Sequence, residues 1–217
     1  MELDGALLID KPRNWTSHDV VAKIRGHFRI KKVGHCGSLD PMATGLLIIL
    51  TGKATRLSNF LTNQDKAYRG QITLGVETNS YDTDGEIVAE KTVPDFTPGQ
   101  IGEVFRSFKG DQYQTPPMVS AVKIHGQPLY KLARKGIAVE RRPRQVMIHQ
   151  FALLSFEPPL ATVRVRCSRG TYIRTLADDL GALLGCGACL SELRRTLSGP
   201  FRLDQAITLE QLAETVD

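Results

Sequence analysis

The chain has 217 residues, 41% of them hydrophobic and 24% charged, and a net charge of +5. That balance belongs to a globular protein with a sizeable core, and it excludes disordered, collagenous and fibrous chains. No apolar run approaches the length of a membrane span and the N-terminus lacks a secretory pattern, so a cytoplasmic location is expected.

A strand over residues 6–9 opens the chain. Ser17 then reads as the cap of a helix whose apolar face is Val20, Val21, Ile24 and Phe28. Residues 34–56, GHCGSLDPMATGLLIILTGKATR, form a loop of glycines and small side chains followed by an apolar run, 46–50, that predicts a buried strand. A short helix near 55–61 should bury Leu57, Phe60 and Leu61. Alternation predicts a strand over 68–74, and a polar turn over 79–85 precedes another at 87–90. Thr97 caps a helix with Ile101, Val104, Phe105 and Phe108 on one face, closed by Gly110.

Residues 114–144 differ in kind. They are rich in Pro, Gly and basic residues, carry a short helix near 128–135 ended by Gly136, and read as a projecting insertion. Strands over 146–156 and 162–167 follow, joined at Pro158-Pro159. In the second, Val163, Val165 and Cys167 face inward while Arg164 and Arg166 face outward. Helices over about 172–184 and 209–216 complete the chain, the last opened by Thr208 and Gln211 as a capping box. Strands and helices do not alternate as βαβ units, so the expected class is α+β on a mixed, largely antiparallel sheet flanked by helices.

The charge is unevenly placed. Residues 11–35 hold seven Lys or Arg against Asp19 alone, and residues 123–144 hold seven against Glu140. Two basic zones fit contacts to a phosphate backbone, although a solvated lysine-rich face has the same composition. Between them stands Asp40, in the glycine loop ahead of the apolar run. Pro41 biases it towards an extended or turn conformation. A rigidly supported loop of this kind often carries chemistry, while an Asp among Gly and Ser also serves as an Asx-turn.

Several site types fail. Gly45 and Gly52 are separated by six residues and Ala54 follows Lys53, which does not fit a phosphate-binding loop. The nearest acids to Asp40 are Asp19 and Asp65, so no glycosidase-type carboxylate pair is indicated. A lone aspartate can still act at the anomeric carbon of a sugar–base bond. Cys36, Cys167, Cys186 and Cys189 read as free thiols, and the single CxxC of Cys186 and Cys189 has no second pair to complete a zinc site. Tyr68 and Tyr172 offer aromatic faces on which a flipped pyrimidine could stack, and an Arg beside Asp40 would keep it ionised.

The segments LLIDKPRNWTSHDVV (7–21), GHCGSLDPMATGLL (34–47), KAYRG (66–70), TPPMVSAVKIHGQPLYKLARKG (115–136), CSRGTYIRTLADDLG (167–181) and LRRTLSGPF (193–201) occur in this order. Together they resemble the TruB family of tRNA pseudouridine synthases along essentially the whole chain. The resemblance implies the pseudouridine synthase fold and conversion of the T-loop uridine of tRNA, position 55 in tRNA numbering, to pseudouridine. This is an isomerisation, so no cofactor or metal is expected. It implies that Asp40 is the catalytic carboxylate, that Tyr68 stacks on the flipped base, and that Arg174 pairs with the catalytic Asp. Tyr172 and Leu193 would line the pocket, and His35 would fill space vacated in the T-loop. Lys11, Arg56 and Asp82 would lie in or beside the cleft.

The expected organisation is one catalytic domain over 1–217, acting as a monomer on the T-arm stem-loop, with a thumb-like RNA clamp at 115–144. Cys36 and Ser38 depart from the small or hydroxyl residues usual there, and no PUA domain is expected. A non-catalytic tRNA-binding or RNA-folding protein on the same scaffold is the alternative, which would not need Asp40, Tyr68 and Arg174 together.

Overall fold

The computed structural model describes residues 3–124 and 126–214. In chain order the elements are β1 (Gly5–Lys11), α1 (Ser17–Phe28), β2 (Val33–Cys36) and β3 (Thr44–Thr51), then a 3-10 turn (Gly52–Leu57) running into α2 (Ser58–Thr62). Next come β4 (Lys66–Leu74), β5 (Val76–Thr78), β6 (Ile87–Glu90), α3 (Pro98–Ser107) and β7 (Gly110–Gln114). They are followed by β8 (Lys123–Ile124), β9 (Gln127–Pro128), α4 (Leu129–Ala133), β10 (Arg144–Glu157) and β11 (Leu160–Cys167). The chain closes with α5 (Ile173–Leu184), β12 (Ala188–Ser198), β13 (Phe201–Arg202) and α6 (Leu209–Glu214). Two compact units result, one of Met1–Arg69 with Glu192–Asp217 and one of Gly70–Ser191.

β3 organises the first unit. β1 runs antiparallel along one edge, from Gly5↔Thr51 to Lys11↔Gly45. The other edge is shared. β2 pairs with its later half, Val33↔Thr51 to Cys36↔Ile48, and β12 joins in parallel at its start, Arg194↔Thr44 and Arg195↔Gly45. Covered in this way, β3 is buried from Gly45 to Thr51, which explains an apolar run without alternation. Each of its large side chains contributes about 1.5–3 kcal/mol by leaving water. α1 starts from a capping box in which Thr16 and Asp19 satisfy each other's backbone N–H groups, and it buries Val20, Val21 and Ile24.

In the second unit β7, β10 and β11 pair antiparallel, and α3 packs on β10 and on α5. Phe151 of β10 meets Phe105 and Phe108 edge-on at 4.4 and 5.4 Å. On β11, Val163, Val165 and Cys167 are buried while Arg164 and Arg166 are exposed, as alternation requires. The class is the α+β one read from the sequence, with mixed but mainly antiparallel pairing.

Several local expectations are corrected. The cap of α1 is Thr16, and Ser17 lies inside the first turn, buried. Leu57 and Phe60 are exposed, because the 3-10 turn before α2 leaves Leu61 alone to face the core cluster of Cys36, Ile48 and Leu50. α3 ends at Ser107 with Phe108 as its cap, and Gly110 instead opens β7 with φ +111°. The strands β2, β7 and β12 were not expected. α6 is described to Glu214, and the remainder of the expected helix lies outside the described residues.

Candidate active site

In the loop between β2 and β3 every carbonyl from Gly37 to Pro41 is hydrogen-bonded. Gly37 O and Ser38 O accept from Arg195 Nη2 and Nη1 at 3.0 and 3.4 Å. Leu39 N donates to Ser17 Oγ at 2.9 Å, and that hydroxyl donates to Leu39 O at 3.3 Å. Asp40 O accepts from Ala43 N at 3.1 Å, and Pro41 O accepts from Asn14 N at 2.8 Å and from Lys11 Nζ at 3.3 Å. The half-buried Asp40 is therefore presented from a loop whose peptide planes are fixed at each step. Gly45 closes the loop with φ +97°, where an added Cβ would meet the backbone of Arg195, its N at 2.8 Å.

The first unit also holds Lys11, Leu193, His35, Tyr68 and Arg56. Lys11 is fully buried, and its ammonium also donates to the carbonyls of Pro12 and Trp15 at 2.8 and 2.6 Å. Through Pro41 it links the loop to the end of β1. Leu193 is buried, and its carbonyl accepts from Thr44 Oγ1 at 3.4 Å. His35, on β2, meets the ring of His18 edge-on at 5.2 Å, and its buried Nδ1 has no hydrogen-bond partner among the described residues. Burial, reinforced by the neighbouring His18 and Arg195 charges, lowers its pKa to about 4, so the ring is neutral at physiological pH. Tyr68 is buried on the same face of β4 as Lys66 and Ile72. Arg56 is exposed on the 3-10 turn after β3. Cys36 is buried, and burial raises its thiol pKa, which keeps it protonated.

The second unit holds the other three. Arg174 is buried at the start of α5 and pairs with the buried Asp82, Nη1 to Oδ2 at 3.2 Å. Tyr172 caps the same helix. Gln114 fixes its backbone from β7, accepting from Tyr172 N at 3.0 Å and donating to Tyr172 O at 3.3 Å. In the basic segment, β8 and β9 pair as Lys123↔Pro128 and Ile124↔Gln127. A cavity of about 610 Å³ there is lined by the apolar Val122, Ile124 and Leu129 together with the basic Lys123, Arg142 and Arg144.

Sequence reasoning missed Ser17, Gln114 and Arg195. Ser17 looked like a cap, and a buried Arg next to an exposed one carries no periodic signal.

Residues 25–173 match the family described as TruB family pseudouridylate synthase (N terminal domain), and residues 174–217 match the tRNA pseudouridylate synthase B C-terminal domain. The chain is 54% identical over 211 residues to the tRNA pseudouridine synthase B of Opitutus terrae, covering 97% of this chain and 88% of that one. It is 53% identical to that of Symbiobacterium thermophilum, with 98% and 72% covered. Among solved structures it superposes on a chain of a Cbf5-Nop10-Gar1 complex with TM-score 0.77 and 34% identity, covering 97% of this chain and 54% of that one. An H/ACA RNP bound to a substrate RNA containing 2'-deoxyuridine gives TM-score 0.74 at 31% identity, with 97% and 52% covered. The chain thus spans about half the length of those two solved chains. With contiguous family matches from residue 25 to residue 217 and relatives more than half identical, this chain belongs to the TruB family of pseudouridylate synthases.

Proposed function

We propose that the chain is a tRNA pseudouridine synthase that isomerises the T-loop uridine at tRNA position 55, with Asp40 as its catalytic carboxylate. The observation that carries the reading is the loop around Asp40, in which every peptide group from Gly37 to Pro41 has a hydrogen-bonded carbonyl. A carboxylate held so firmly suits chemistry that needs one group at one atom. At C1′ of the flipped nucleotide it either bonds to the carbon or stabilises the positive charge that develops as the C1′–N1 bond breaks. The detached uracil turns, C5 bonds to C1′, the C5 proton leaves, and N1 gains one. Atoms and charge balance without a cofactor.

Tyr68 supplies a face for the extruded base, and the neutral His35 supplies a ring that enters RNA without a charge to desolvate. The motif match adds Tyr172, Arg174 and Leu193 to the substrate contacts, and residues 115–144 as a clamp on the phosphates of the T-arm. On this reading the protein works as a monomer in the cytoplasm, where tRNA is found.

The test is pseudouridine mapping on tRNA incubated with wild type, Asp40→Ala and Asp40→Asn, alongside tRNA binding. Both variants should lose turnover and keep affinity within about threefold, since a group acting at the anomeric carbon adds little to ground-state binding. Turnover by Asp40→Ala would remove Asp40 from the chemistry. Tight tRNA binding with no product from wild type would mark a binding protein instead.

A further inference from the structure

Arg195 is the largest fully buried side chain among the described residues, at 1% exposure. All its partners are backbone carbonyls. Nε donates to Leu46 O at 2.7 Å, and the two terminal nitrogens hold Gly37 O and Ser38 O. No carboxylate pairs with it among the described residues. Carbonyls satisfy its donors but leave its charge without a counter-charge, which is costly in a protein interior. A methionine or leucine would fill much of that volume without that cost. Packing therefore does not account for an arginine here.

Its geometry does. The fork spans from β3 to the two residues that precede Leu39 and Asp40, joining points that no single-headed side chain could hold together. Leu46 lies where β3 passes from its pairing with β12 to its pairing with β2, and the guanidinium occupies that gap. The backbone of the same residue abuts Gly45, at the other end of the loop. Both ends of the Asp40 loop are thus referenced to one residue of β12.

We propose that Arg195 is a positioning residue for the reaction, one that sets the Asp40 loop in its working conformation before RNA binds. It acts through Gly37 and Ser38 and touches no substrate. This rests on Asp40 being the carboxylate of the reaction.

The test compares Arg195→Lys and Arg195→Met with wild type in steady-state kinetics on tRNA, with binding and thermal unfolding measured on the same samples. Arg195→Lys keeps the charge and loses the fork. Its kcat should fall by up to about a hundredfold, the effect of misplacing a catalytic group by roughly 1 Å, while KM and tRNA affinity move by less than about threefold. Arg195→Met should be slower still, so that lysine rescues in part. A kcat within about twofold of wild type for Arg195→Lys overturns the proposal, as does a loss of kcat matched by an equal loss of tRNA binding.

If neither variant folds, hydrogen exchange on wild type decides. Amides of Leu39 and Ala43 should be protected without RNA to about the degree of β3, and rapid exchange there overturns the proposal. The two readings fail separately. Turnover by Asp40→Ala undoes the catalytic assignment, whereas normal kcat in Arg195→Lys beside an inactive Asp40→Ala undoes only this one.

Discussion

Arg174 and Asp82 form a buried ion pair, with Nη1 3.2 Å from Oδ2 and both side chains at most 5% exposed. The same guanidinium donates to Ser80 O at 3.0 Å and to Val119 O at 2.9 Å. One cation therefore ties the first turn of α5, the turn that follows β5, and the start of the basic segment. Asp82 is held in return by Ser80 Oγ at 2.5 Å and by Asp84 N at 3.2 Å.

Removing the carboxylate should therefore be expensive. Asp82→Ala takes a counter-charge from a buried guanidinium and leaves the Ser80 hydroxyl only the carbonyl of residue 82 to donate to, at an expected cost of about 3–5 kcal/mol in unfolding free energy. Asp82→Asn keeps an acceptor and should lose less. Urea unfolding of the two variants measures both, and an Asp82→Ala protein as stable as wild type would show that the pair contributes nothing.

His35 should make stability depend on pH in a defined window. Its folded pKa, about 4, lies below the ordinary value of 6.5, because burial disfavours the charged ring and His18 and Arg195 repel it. The unfolded state therefore binds the proton more readily. The contribution is fully present above pH 6.5 and is lost as pH falls towards 4. His35→Gln should unfold with a shallower decline than wild type between those limits. Equal slopes for the two proteins would show that the ring titrates normally.

The basic segment should grip phosphates without reading sequence. Lys123, Arg142 and Arg144 are exposed, whereas Arg141 is tied to Pro116 O at 2.9 Å and serves the segment's own structure. Neutralising the three exposed residues should flatten the dependence of tRNA affinity on salt by up to about three, on the order of one per lost phosphate contact. Binding across a salt series gives the slope. An unchanged slope would place the RNA contacts elsewhere.

What was legible in the sequence was whatever repeats or punctuates. The apolar run of β3, the alternation of β11 and the capping box of Thr208 and Gln211, with both its backbone bonds formed at 2.9 and 3.2 Å, all follow local rules. β12 did not, because Arg195 takes an inward position in its alternation after the outward Glu192 and Arg194, so that burial alternates while hydropathy does not. β2 was hidden in a glycine-rich segment whose strand character comes from pairing with β3. At the site, Asp40 stood out by its solitude among glycines. Ser17 could not, since its role depends on a partner 22 residues away at Leu39. Thr16 and Ser17 are equally good caps by residue type, and what distinguishes them is the extended backbone of Thr16 and its reciprocal bonds with Asp19, three residues on.

The shared edge of β3 also has a kinetic meaning. The Leu46 carbonyl waits for a donor 149 residues further along the chain. Asp40 is thus translated well before β12, but its loop cannot close until β12 has emerged and threaded in beside Thr44 and Gly45. Contacts of such separation form late and slowly, since the intervening chain must be ordered before they repay its entropy. A nascent chain that already carries Asp40 and Tyr68 would remain inactive until β12 docks, so competence would arrive only late in folding.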